Sequence, residues 1–188
     1  MKKERQVIEP GTIVFFNRDV KGKELESLSG KPLTVVINGD LSLKHGFRFN
    51  GNLDIEGDIF GKQNIDIDGN LSCNGEIYAR DICVKGDFKA YNYVEAQHIL
   101  IDGDFYAEDT INSCKITVGQ CFWAVQIDCY DALVGENFCC DTIDTNGRDI
   151  SVVGNFDSDG EVTANCITVL GRMHIAGSIE ANEIKVGC

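Results

Sequence analysis

The chain has 188 residues, enough for one domain, and at 43% hydrophobic content it can bury a sizeable core. Its 30 acidic against 17 basic side chains give a net charge of −13, which repels phosphate backbones and anionic lipid, so neither nucleic acid nor a membrane surface is an expected partner. No run of about 18 apolar residues exists to span a bilayer. The basic start MKKERQ leads into no apolar stretch of a secretory signal, so the nine cysteines are read as reduced thiols of a cytosolic protein.

Residues 1–32 are read as an N-terminal cap, with Thr12–Phe16 as a short strand and Lys23–Leu28 as a turn of helix. From residue 33 onward, glycines usually followed by Asp or Asn recur at Gly39, Gly51, Gly69, Gly86, Gly103, Gly119, Gly135, Gly154 and Gly171. From Gly69 they stand 16 to 19 residues apart, by subtraction of their numbers. Eight residues after each comes an apolar residue: Phe47, Ile59, Ile77, Val94, Ile111, Ile127, Ile143, Val162 and Ile179. Two after each come mostly large residues, among them Leu41, Leu71, Phe88, Phe105 and Phe156, and four after come smaller ones such as Cys73, Ala90 and Ala107. A third pair precedes the next glycine, as in Ile82/Val84, Ile99/Ile101 and Ile167/Val169.

Apolar residues two apart are strand periodicity, and three such pairs in about 17 residues make one rung of a parallel β-helix. The expected fold is therefore all-β: a single-domain, three-sided parallel β-helix over residues 33–188, in which like side chains stack in columns. The general bias of parallel connections makes it right-handed. The Gly-Asx steps are assigned to corners, where Gly supplies positive φ and the Asx side chain bonds nearby backbone.

The frame slips in places. Asn137 falls on an inward column although Phe138 beside it fits better, which points to a bulge. Trp123 falls inward in a column of small residues, through either a wider rung or a register one residue out. TNGRD (145–149) is expected to loop out of its long repeat, and the interval from Gly39 to Gly51 is too short for a full rung.

The residues that often carry chemistry form no site. His45, His98 and His174 show no Ser, Cys or Asp partner at a matching place on a neighbouring rung and are read as surface residues. Cys73, Cys121, Cys129 and Cys139 are assigned inward as core packing; Cys83, Cys140 and Cys166 are assigned outward or to corners. Cys139 and Cys140, adjacent on a strand, point to opposite faces and make a poor zinc pair, so no metal is expected. Asp66, Asp68, Asp102, Asp104 and Glu108 are read as a solvated face. Phe122, Tyr78 and Tyr106 are read as scattered outward aromatics, with Tyr91 and Tyr93 at a corner. No catalytic, cofactor or metal site follows.

The segments VKGDFKA (84–90), IDGDFYA (101–107), VVGNFDS (152–158) and VLGRMHIAGSIEANEIKVG (169–187) resemble the repeats of bactofilins, polymer-forming cytoskeletal proteins of bacteria. The resemblance covers 33–188. It implies a right-handed three-sided β-helix that associates end to end, without nucleotide, into filaments. Together with a C-terminus that stays in frame through Ile184-Lys185-Val186, it leads to the expectation of a non-catalytic scaffold. Such a protein would self-associate by strand addition through terminal rungs, with Ile179, Ala181, Ile184 and Val186 as contact residues. A homo-oligomer or polymer is the expected assembly, with another protein as a further possible partner. Two other readings stay open: a β-helical enzyme, either a hexapeptide-like acyltransferase or carbohydrate-active, and a regulatory module that binds a protein through one flat face.

Overall fold

The computed structural model describes residues 12–26, 28 and 33–187. The chain winds as a parallel β-solenoid in which each turn after the first adds one strand to each of three sides. The first side is a ladder of ten parallel strands, beginning with Ile13–Phe16, Leu33–Ile37, Gly51–Ile55, Leu71–Cys73 and Phe88–Ala90. It continues through residues 105–107, 122–124 and 138–140 to Phe156–Ser158 and Met173–Ile175. The second ladder starts at Val20–Lys21 and runs through Leu41–Ser42, Ile59–Phe60 and Ile77–Tyr78 to residues 179–181. The third starts at Phe47–Phe49 and runs through Ile65–Ile67 and Asp81–Val84 to residues 183–186. In the first turn the short helix Gly22–Glu26 packs against Phe47–Phe49 and buries Leu25 completely. At about 4.8 Å per turn, ten turns make a rod about 48 Å long.

The columns expected inside the coil are there. Ile77, Val94 and Ile111 stand opposite one another in successive turns, and each is fully buried. Phe88, Phe105, Phe122, Phe138 and Phe156 form a continuous stack, with ring centroids 4.7, 4.9, 5.0 and 4.9 Å apart. Small residues beside them (Ala90, Ala107, Ala124, Cys140, Ser158) keep the interior at constant volume. The Ser158 hydroxyl is satisfied by donating to the Asp141 carbonyl at 3.1 Å.

Several expectations are corrected. Phe138 is inward, as its better fit beside Asn137 suggested; Phe122 and Cys140 are also the inward residues of their turns, while Trp123, Cys139 and Cys121 lie half-buried on the outside. The cause is one extra residue at the corner in each of these two turns: Phe122 and Phe138 stand three residues after Gly119 and Gly135, where Phe105 stands two after Gly103. The register shift between Ala107 and Thr110 removes one residue at the next corner, so Ile127 and Ile143 return to phase. Leu41 and Phe47 belong to the second and third ladders, not to the columns in which counting from Gly39 puts them.

The corner glycines are also needed for a different reason. Among the described residues only Gly51, Gly147 and Gly187 are glycines with positive φ. At most corners the constraint is close approach between turns: a Cβ on Gly103 would lie 2.7 Å from the Gly86 carbonyl oxygen, and one on Gly154 2.5 Å from that of Glu136. The residue after such a glycine bonds the next turn. Asn52, Asn70, Asp87 and Asp104 accept through Oδ1 from the backbone N–H groups of Asn70, Asp87, Asp104 and Cys121, at 2.9 to 3.0 Å. Asp19, Asp40 and Asp58 do the same at the opposite corner toward Asp40, Asp58 and Glu76. Residues 145–149 do turn outward, with Asn146 at φ 49° and Gly147 at 77°. Buried Thr145 anchors the loop by donating to the Arg148 carbonyl at 2.8 Å.

Candidate functional site: the terminal rung and the outer faces

The last turn, Met173–Ile175 and Ile179–Val186, presents the cross-section of the coil. Ile179, Ala181, Ile184 and Val186 stand opposite Val162, Ala164, Ile167 and Val169. The residues of that preceding turn are buried, at 0% exposure for Val162, Ile167 and Val169, whereas Ile179, Ile184 and Val186 are 38%, 44% and 46% exposed. The difference is that no further turn among the described residues covers them. Ile179–Val186 pairs with Val162–Val169 along one edge, and among the described residues nothing pairs with its other edge. Ile179 and Ala181 close the second ladder, and Ile184 and Val186 the third. Met173 and Ile175, half-buried, complete the apolar ring from the first ladder. Sequence reasoning omitted these two, although they stand two and four residues after Gly171 in the same frame. Glu183 and Lys185 pair at 2.9 Å on the outer surface of this turn.

Histidine partners on neighbouring turns do exist, contrary to expectation. His98 Nδ1 lies 2.7 Å from Asp81 Oδ1, and the two residues are ladder neighbours. His174 stands opposite Asp157. Both histidines are exposed, and His45 is exposed in a bend.

The eight described cysteines are free thiols. Cys73, Cys129 and Cys140 have their pKa pushed up to about 12, first of all by burial. They are packing groups, not nucleophiles. Asp68 accepts from Lys85 at 2.7 Å and Arg48 at 3.3 Å, and its carboxyl is held below the usual range, chiefly by the Lys85 hydrogen bond. Asp66 is exposed beside this pair; Asp102 is exposed, and Asp104 serves the corner ladder. Among the described residues no group of three or more His, Cys, Asp or Glu is placed to hold a metal ion. No helix of the described residues is long and apolar enough to cross a membrane.

The outward aromatics are clustered rather than scattered. Phe60, Tyr78 and Tyr93 touch on the second ladder, with centroids 6.3 and 6.0 Å apart, and the Tyr78 hydroxyl donates to Glu76 at 2.6 Å. Tyr91, Tyr106 and Trp123 touch on the first, where Tyr106 and Trp123 stack at 4.6 Å. Phe122 is buried and belongs to neither cluster. The signal for the second cluster was the inserted corner residue, since Trp123 turns outward only once that residue is counted. Comparison with protein-family models, with curated proteins and with solved structures finds no match, and the architecture is that of a parallel β-solenoid.

Proposed function

We propose that this protein is a non-catalytic structural element, a rod that self-associates by stacking the terminal turn of one copy on that of another. The observation that carries this reading is the ring of Met173, Ile175, Ile179, Ala181, Ile184 and Val186. It continues the core columns to a surface that the described residues leave uncovered. Covering Ile179, Ile184 and Val186 with one more turn is worth on the order of 1 kcal/mol each. Pairing the edge of Ile179–Val186 would satisfy its backbone groups in the way every internal turn does. The likeness of residues 84–90 and 101–107 to bactofilin repeats supports the same reading, and end-to-end polymer growth is the form of assembly it suggests.

Sedimentation velocity and negative-stain imaging test it. The full chain is expected to form dimers or longer rods, more of them as salt screens its net charge of −13. The double substitution Ile184→Asp and Val186→Asp is expected to leave monomers with the thermal melt of the interior turns unchanged. A wild-type chain that stays monomeric across salt and pH defeats the proposal.

A further inference from the structure

The outer surface of the first ladder carries a second feature, in the middle of the rod and away from its end. The outward residues there run Lys89, Tyr106, Trp123, Cys139 and Asp157, each opposite the next. Tyr106 and Trp123 stack with planes 14° apart. The Trp123 face turned away from Tyr106 therefore looks along the ladder toward Cys139, whose short side chain is too small to cover an indole. An open groove of about 590 Å³ results, floored by the two rings. Asp87, Asp104 and Glu108 contribute three carboxylates to its lining, against the single ammonium of Lys89. Asp157 stands two turns beyond Trp123, about 10 Å along the ladder. The Cys139 thiol pKa is raised first by burial and then by Asp157, Asp159 and Asp141, so negative potential converges on the same step.

A flat cation matches this arrangement. A guanidinium stacks its face on indole and phenol rings while its charge stays close to the surrounding carboxylates, which a compact, strongly hydrated ammonium does less well. A neutral sugar would use the rings but carries no charge to match the excess of carboxylates. We propose that the groove docks an arginine side chain from a basic segment of a partner protein. The guanidinium extends the Tyr106–Trp123 stack over Cys139, with the Asp157 carboxylate next beyond it along the ladder.

Trp123 is the only tryptophan, so its fluorescence reports this site alone. The full chain would be titrated with hexa-arginine, hexa-lysine and an N-acetylglucosamine tetrasaccharide. A saturable change in emission is expected with hexa-arginine at about tenfold lower concentration than with hexa-lysine, and none with the tetrasaccharide. Cys139→Phe fills the step without altering charge, and Asp157→Asn removes the exposed carboxylate. Each is expected to weaken the arginine response about tenfold. Should Cys139→Phe fold poorly, Asp157→Asn carries the comparison by itself. Equal responses to the two peptides, or insensitivity to Asp157→Asn, would mean diffuse attraction to an acidic surface and would overturn the proposal. So would a response to the tetrasaccharide, or none to any probe.

Discussion

At the residue scale, most turns are closed at one corner by a glycine and the Asx-type residue that follows it. The glycine lets two turns approach until no Cβ fits between them, and the Asx oxygen then caps the backbone N–H of the next turn. Gly103→Ala forces a methyl group against the Gly86 carbonyl and should cost about 1–3 kcal/mol in a denaturation midpoint. The side-chain ladder stops at Cys121, whose thiol meets Asn137 only through a 3.8 Å contact from Nδ2, and resumes from Asn137 to Asn155 at 3.0 Å. Cys121→Asn offers an oxygen where the series lacks one and should raise stability by about 1 kcal/mol. An unchanged midpoint would show that the turn spacing there is too distorted to use it. The Gly-Asx recurrence was legible in the sequence. Its reason was not, because the constraint lies between residues 16 to 19 apart in the chain rather than within a local turn.

At the element scale, a turn of three short strands has no interior of its own, and its identity depends on which residue of each strand points in. Counting from glycine placed the second ladder correctly from Ile59 to Ile179, since each of those residues stands eight positions on. The same count failed on the first ladder at residues 121–140. The insertion before Phe122 and the compensating deletion after Ala124 cancel over that distance, so the column used as anchor showed no fault. The visible sign was chemical: Trp123 fell in a column of small residues and Asn137 in a column of large apolar ones, while phenylalanine stood beside Asn137. Two substitutions separate the registers. Phe122→Ala removes a ring from the middle of the buried stack and should cost about 3–5 kcal/mol, whereas Trp123→Ala forfeits an outer-face stacking contact worth about 1 kcal/mol. The opposite order in their denaturation midpoints would put the indole inside.

At the scale of the whole molecule, stability is a sum of contacts between neighbouring turns, so it is lowest where a turn has one neighbour instead of two. Among the described residues the turn ending at Val186 has one, and its apolar columns are the most exposed of their series. Amide hydrogen exchange in dilute, low-salt solution should therefore be fastest in Ile179–Val186 and slow in the doubly paired strands Phe105–Val118 and Phe122–Val134. Raising protein concentration at high salt should slow exchange in Ile179–Val186 selectively, because a second copy seated there pairs the free edge and covers Ile184 and Val186 while leaving the middle of the rod as it was. The Ile184→Asp and Val186→Asp chain, with carboxylates in place of the apolar ring, should show fast terminal exchange at every concentration. Protection that grew instead along the outer faces would indicate side-by-side contact, and a concentration-independent pattern would mean that the end of the rod does not serve as an interface.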